Sequence, residues 1–457
     1  MLSPKIQLLV ATLATLATAS ARTLNRASNY PVSPELAAEY DCGKSCQEYL
    51  STANQSDRED FDTPFDFDFY ATAGNLSSSK PGDVLKLIPV SPKIMNVPAG
   101  IATYKMQYTS VDLDNSTVPA TAFLAFPYIA QANPFKLVAF AHGTSGVFRG
   151  CAPSTSSTLY NYDTWIPLVF AGYAVVGTDY VGLGNNYTDH KYIATKANAN
   201  DVYWSTIAAK KAFPRKLSHE WVSIGHSQGG GASWKVSEQV ELQNKESGYL
   251  GGVAVAPNTH IYDAVIEGLR SSEGSPGGNF QQSGSSSYVP SLYFALRAVY
   301  PNYTAPFLSE LAKRRIQLGE RAQLCAAALP AVLHDLNPSQ IISSANLSGL
   351  STIKSFQDLN APAQGAKAAR PLLVIVGGND TTVYPGITKR AYEQSCKNGN
   401  SLHLSIYPGL EHSPVFGASA PEWLNFIGRL FRGQGLDRCS MQKMGPFDAQ
   451  HARKGGE

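Results

Sequence analysis

The segment Trp221-Val222-Ser223-Ile224-Gly225-His226-Ser227-Gln228-Gly229-Gly230-Gly231 carries the most specific information in the chain. It begins as a short apolar run suited to a buried strand and passes through a G-x-S-x-G pentapeptide into a helical stretch. In that strand-turn-helix setting the serine occupies a strained turn that lifts its hydroxyl above the sheet. Gly225 and Gly229, two residues to either side, avoid the collision a side chain would cause there. Ser227 is therefore expected to act as a nucleophile at the carboxyl end of a strand. The competing reading of these residues is a glycine-rich turn with an idle serine.

A serine hydroxyl is a weak nucleophile. It needs a base and an acid that orients the base, in the chain order Ser, Asp or Glu, His. Leu372-Leu373-Val374-Ile375-Val376 runs into Gly377-Gly378-Asn379-Asp380, which puts Asp380 in the loop after a continuous apolar strand. Asp263, Asp335 and Asp358 follow no such strand. His412, in Pro408-Gly409-Leu410-Glu411-His412-Ser413-Pro414, lies just beyond the last strand, whereas His403 falls inside a strand pattern and His451 in a polar tail. A tetrahedral oxyanion also needs two fixed N–H donors. Gln228, after the nucleophile, supplies one. The loop His142-Gly143-Thr144-Ser145-Gly146 supplies the other, with Thr144 and Ser145 both candidates; a glycine turn closed by a core histidine is the plainer reading of that loop. Asp179, at the end of a strand, reads as structural because Asp380 already fills the acid's place in the order.

Residues 136–141, 174–178, 221–224, 252–256, 372–376 and 402–407 are continuous apolar runs, as expected for strands covered on both faces of a parallel sheet. Earlier strands are expected at 83–90, 102–109 and 119–126. Helices are expected at 201–213, 233–244, 383–397 and 421–431, the last with Trp423, Phe426, Ile427 and Leu430 on one face. Strand–helix alternation defines an α/β fold. The insertion 258–370 is longer than any ordinary connection. Its segments 285–300, 307–319 and 321–333 look helical, so it is expected to cap the site, with the Gly/Ser-rich stretch 271–287 as a hinge. The domains then run 22–80 (N-terminal extension), 81–257 with 371–435 (catalytic core), 258–370 (cap) and 436–457 (tail).

Residues 1–21 contain Lys5, an apolar run over 6–16 and Ala19-Ser20-Ala21, the order of a secretory signal peptide cleaved after Ala21. The run is too short for a membrane span. Sequons at Asn54, Asn75, Asn115, Asn186, Asn302 and Asn346 are expected to carry glycans on surface loops. A seventh, Asn379, is expected to be unoccupied in the crowded loop beside Asp380. The six cysteines, Cys42, Cys46, Cys151, Cys325, Cys396 and Cys439, are even in number and suit disulfides, with fifteen pairings open. Cys42-x3-Cys46 has no His or second close Cys pair to complete a metal site. Charged residues make up 16% and the net charge is +2, so no field for steering a polyanion exists and nucleic-acid binding is a poor fit. A monomer acting on a small-molecule or lipid ester, in transient contact with a lipid interface and without metal or organic cofactor, is expected.

Over about residues 81–431 the chain resembles the α/β-hydrolase superfamily and, more narrowly, the fungal secretory lipases of the lipase A type. The resemblance rests on Pro81-Gly82-Asp83-Val84, His142-Gly143-Thr144-Ser145-Gly146, Cys151-Ala152-Pro153-Ser154, Thr178-Asp179-Tyr180-Val181-Gly182-Leu183-Gly184, the serine turn, Asp380 and His412. It implies a secreted carboxylic-ester hydrolase with a Ser227, Asp380, His412 triad, an acyl-enzyme, and a helical cap between the sixth and seventh core strands. It also implies a disulfide from Cys151 to Cys325, leaving Cys42–Cys46 and Cys396–Cys439. His226 and Gln228 are larger than the family's usual neighbours of the serine, and the His-Gly-Thr-Ser-Gly loop is esterase-like. An acetyl-esterase or acyltransferase for a small secondary metabolite therefore stands beside the lipase reading. A peptidase, or a binding protein that has lost its chemistry, fits less well: the insertion is helical and short, and all three triad residue types are present.

Overall fold

The computed structural model describes residues 25–129, 133–239, 244–273, 288–343, 350–368 and 370–448. The expected signal peptide, most of the 271–287 stretch, the sequon at Asn346 and His451 lie outside the described residues. One sheet of ten strands organises the chain: β1 (Val84–Pro89), β2 (Ala102–Val111), β3 (Thr117–Phe126), β4 (Phe135–Ala141), β5 (Ala174–Thr178), β6 (Leu217–His226), β7 (Tyr249–Val255), β8 (Leu372–Gly377), β9 (Leu402–Tyr407) and β10 (Ser440–Lys443). Their spatial order is β1-β2-β3-β5-β4-β6-β7-β8-β9-β10. From β5 to β10 all pairings are parallel.

The other edge is antiparallel, so the sheet as a whole is mostly parallel, in agreement with the continuous apolar runs expected to form its parallel part. β2 and β3 pair along their full length, from Ala102↔Phe126 to Val111↔Thr117. The short turn between them leaves no room for the crossover that parallel neighbours require. β3 then pairs antiparallel with β5. Because β4 is flanked by β5 on one side and β6 on the other, the strand order reverses at β4. The crevice beyond the carboxyl ends of β4 and β6 is thus the switch point where α/β sheets bind ligands.

Every residue of β5 and of β8 is buried, which is why they read as unbroken apolar runs. Along β4, Leu137, Ala139 and Ala141 join one core with Val202, Ala209 and Ala232, while Val138 and Phe140 join another with Trp423 and Ile427. The helices Thr195–Ala212 and Gln228–Glu238 cover the first face, and Ala420–Phe431 the second. The first two differ from expectation. Thr195–Ala212 starts before residue 201, and the helix after Ser227 starts at Gln228, not 233, because the glycines that lower helix propensity are required there by close packing. The tail contributes β10, parallel to β9 in the register Ser440↔His403 to Lys443↔Ile406. Its four residues are all exposed, so no apolar pattern announces it.

Setting aside the edge strand β1, the insertion lies between the sixth and seventh strands and forms a cap of the helices Ile261–Glu273, Val289–Val299, Glu310–Ala322 and Leu350–Asn360. The helix expected over 321–333 is absent: the chain leaves the preceding helix at Gln323 with φ +52°, and only Ala328–Ala331 is helical. The three disulfides are Cys42–Cys46, Cys151–Cys325 and Cys396–Cys439. Among the sequons, Asn75, Asn115, Asn186 and Asn302 are exposed. Asn54 is a correction: it is buried and its Nδ2 donates to Tyr30 O (3.2 Å), so the amide a glycan would occupy is already engaged. Asn379 is exposed, so crowding does not set it apart. Among the described residues no helix is long and apolar enough to cross a membrane.

Candidate active site

Ser227 stands between the end of β6 and the first residue of the helix Gln228–Glu238, with φ +56° and ψ −117°. A non-glycine residue held in such a conformation costs ~1–3 kcal/mol, and the surroundings must over-determine it. Its N–H donates to Val255 O in β7 (2.9 Å), and its carbonyl accepts from Gly231 N (3.1 Å). The flanking glycines permit the approach. A Cβ on Gly225 would lie 2.1 Å from Gly229 O, and one on Gly229 would lie 1.9 Å from Ala141 O. The end of β4, the end of β6 and the helix therefore meet backbone to backbone, with the serine hydroxyl pushed out above them.

Asp380 follows β8 as expected. Its Oδ1 accepts from the N–H groups of Thr382 and Val383 (both 2.8 Å), which aims Oδ2 at His412 Nδ1, also 2.8 Å away. With Nδ1–H committed to the carboxylate, Nε2 is the free base. That atom is buried and has no hydrogen-bond partner among the described residues. The loop bearing His412 is held from the serine turn itself: His226 Nε2–H donates to His412 O (2.9 Å), with the two rings 4.7 Å apart. Burial, with His412 alongside, pushes the His226 pKa down to about 3, so the ring is the neutral donor this bond needs. His226, which the sequence marked only as a bulky residue in the turn, is a positioning group. His403 lies on β9 against Ser440 Oγ and takes no part in the site.

Gln228 opens the helix, so its N–H has no intrahelical acceptor. Its side chain is anchored by Nε2 donating to His190 Nε2 (3.1 Å), while His190 Nδ1–H donates to Val181 O (2.9 Å). Burial pushes the His190 pKa down to about 3, which keeps Nε2 an acceptor. In the loop after β4, no backbone carbonyl among the described residues accepts from the N–H of Thr144 or Ser145. Thr144 Oγ1 bonds Tyr192 OH (2.8 Å), and Ser145 O accepts from Ala326 N of the cap (3.2 Å). The loop is thus tied to the cap, and both residues stay candidates for the second oxyanion donor. Asp179 is structural: it is fully buried and accepts from Ser154 N (2.8 Å), Ser154 Oγ (2.5 Å) and Thr121 Oγ1 (2.6 Å).

The cap closes over these groups, and Ser227 is 6% exposed. A cavity of about 70 Å³ remains beside it, walled by Ile261, Val265, Val289, Leu292 and Ile387 and reached by Tyr192 and Tyr288. The rings of these tyrosines stack at 6.5 Å, and the Tyr288 hydroxyl is within hydrogen-bonding reach of Ser227 and Thr382. A cavity of roughly 150 Å³ takes a benzene. This one is about half that size. Tyr288 belongs to the apolar stripe expected on the segment 285–300 and stands at the start of the helix Val289–Val299, whereas Tyr192 lies in a loop that no periodic pattern marks. Among the described residues no cluster of three or more His, Cys, Asp or Glu side chains is placed to hold a metal.

The sheet order, the strained serine at its switch point and the acid and histidine loops after β8 and β9 define the α/β-hydrolase fold. Solved structures agree. Lipase A from Candida antarctica superposes with a TM-score of 0.65 at 18% identity, over 87% of this chain and 91% of that one. A putative hydrolase from Legionella pneumophila gives 0.63 at 18%, over 78% and 100%. The rice cell wall degrading esterase LipA from Xanthomonas oryzae gives 0.59 at 18%, over 79% and 99%. At these identities the likeness is one of fold. No family model and no curated protein matches the sequence.

Proposed function

We propose that the protein is an exported serine hydrolase that cleaves carboxylic esters of short acyl groups. The observation that carries this reading is the strained Ser227, whose neighbour His226 holds the loop of a histidine with Nδ1 bonded to the buried Asp380 carboxylate and Nε2 left as a base. Ser227 Oγ attacks the ester carbonyl as His412 Nε2 takes its proton. The oxyanion is met by the N–H of Gln228 and of Thr144 or Ser145, and the same proton is returned to the leaving alcohol. Water, activated by His412, then releases the acid. The similar solved proteins are named as a lipase and an esterase, and the small volume beside Ser227 favours the short-chain end of that range. Three disulfides accord with export to an oxidising compartment.

The test is turnover of p-nitrophenyl butyrate together with labelling by a fluorophosphonate. Wild-type protein should be labelled at Ser227 and hydrolyse the ester. Ser227→Ala should lose labelling and at least ~10⁴-fold of the rate. Retention of most activity by that variant would refute the assignment.

A further inference from the structure

Several residues lining the cavity beside Ser227 carry buried polar side-chain atoms that ester cleavage does not use. Asn258 and Thr259, on the segment leaving β7, line it together with Gln228. Asn258 Nδ2 and Oδ1, Thr259 Oγ1 and Gln228 Oε1 are all shielded from solvent, and none has a hydrogen-bond partner among the described residues. Thr259 and Gln228 are each 1% exposed. The Asn258 amide is wedged against the helix after Ser227, so closely that a Cβ on Gly231 would come within 2.3 Å of Oδ1. Buried polar atoms are ordinarily paired. Four unpaired ones on three residues that line a largely apolar cavity are the pattern of a pocket whose ligand brings the missing partners.

The chemistry says which part of an ester enters. The leaving alcohol must take its proton from His412 Nε2, so it departs on the histidine side. The cavity is lined by Ser227 and Gln228 but not by His412. It therefore receives the acyl group. Resting on the hydrolase reading, we propose that this pocket selects a short acyl group bearing a hydroxyl or keto oxygen on the first or second carbon beyond the ester carbonyl, bonded by Asn258 and Thr259. A hydroxyl accepts from Asn258 Nδ2 or Thr259 Oγ1–H and donates to Asn258 Oδ1 or Gln228 Oε1; a keto oxygen accepts only. A plain alkyl acyl group covers the same atoms and leaves them unpaired. A site built to hydrogen-bond discriminates against such an analogue far more strongly than a pocket of matching shape does.

Two esters that differ by one group test this: p-nitrophenyl 3-hydroxybutyrate and p-nitrophenyl 3-methylbutyrate, in which a methyl replaces the hydroxyl on the same carbon. Wild-type kcat/KM should favour the hydroxy ester by ~10-fold or more. Thr259→Val, nearly isosteric and so expected to keep the fold, and Asn258→Leu should each move that ratio toward one. A wild-type ratio of one or below, or a ratio unmoved by either substitution, overturns the proposal. Because Ser227→Ala abolishes turnover of either ester only if the hydrolase reading holds, the two failures are separable. If wild-type protein cleaves neither ester, both readings fall.

Discussion

His190 shows how a residue with no chemical role of its own conditions the site. Its Nε2 holds the Gln228 amide, and that bond requires a neutral ring. Burial supplies the neutrality by pushing the pKa from 6.5 down to about 3. The sign of the linkage follows. The unfolded chain takes up the proton near pH 6.5 and the folded one only near 3, so the stabilisation is present in full above pH 6.5 and is lost as pH falls toward 3. At ~1.4 kcal/mol per pH unit the loss at pH 4.5 is on the order of 2–3 kcal/mol. His190→Gln keeps a donor for Val181 O and an acceptor for Gln228 but cannot take up the proton. Denaturant unfolding at pH 7.5 and pH 4.5 should therefore show a smaller acid loss in the variant than in wild type; equal losses would disprove the account. None of this was legible in the sequence, where His190 sits in an unremarkable polar loop. Ser227, Asp380 and His412 were legible because each ends or follows a buried strand, so the apolar run points to the residue.

At the scale of elements, strands were easier to read than helices, and the reason is burial. β8 is covered on both faces and shows as five apolar residues, whereas β10 is exposed and shows as nothing. The helix after Ser227 was misplaced because its glycines are chosen by the approach of Ala141 O and Val255 O, not by helix propensity. The antiparallel edge carries a weaker signal than the parallel runs, because β2 and β3 are buried on most positions of both faces and alternate only in part. Cross-links between elements follow a different rule. Cys151–Cys325 closes a span of 174 residues and joins the loop beyond β4 to the cap, next to the Gly146↔Cys325 bridge. Cys396–Cys439 closes 43 and pins only the edge strand. Loop entropy alone makes the first worth about 1 kcal/mol more than the second, within a typical ~2–5 kcal/mol. Double Cys→Ser variants measured by thermal unfolding should rank in that order, and a larger fall in Tm for the Cys396/Cys439 pair would contradict it.

For the molecule as a whole, the N-terminal segment acts as a strap and not as an appendage. Ala37, Cys42, Cys46 and Leu50 belong to the same apolar cluster as the cap residues Leu292, Ile316 and Leu329. Backbone bonds run from Asn29 N to Gln323 O and from Tyr30 N to Ala322 O (both 2.9 Å), and Asn29 Oδ1 accepts from Cys325 N (2.9 Å). A further hold is Asp57. It is 1% exposed, and its two carboxyl oxygens accept from Ala327 N (3.0 Å) and Ala328 N (2.8 Å) at the start of the short cap helix. A helix start presents unpaired N–H groups, and the Asp57 carboxyl, whose pKa burial pushes up to about 7, caps two of them. Asp57→Ala removes both acceptors while the N–H groups stay buried, at a cost of ~1–3 kcal/mol. If the strap holds the cap on the core, this loss is local, and hydrogen exchange at Ala327 and Ala328 should quicken by ~10–100-fold while amides of β4 and β8 keep their wild-type rates. Asp57→Asn, which retains one acceptor oxygen, should fall between. Uniform acceleration across sheet and cap would mean that Asp57 supports the whole fold; unchanged exchange at Ala327 and Ala328 would mean that the cap is held by its disulfide and apolar contacts alone.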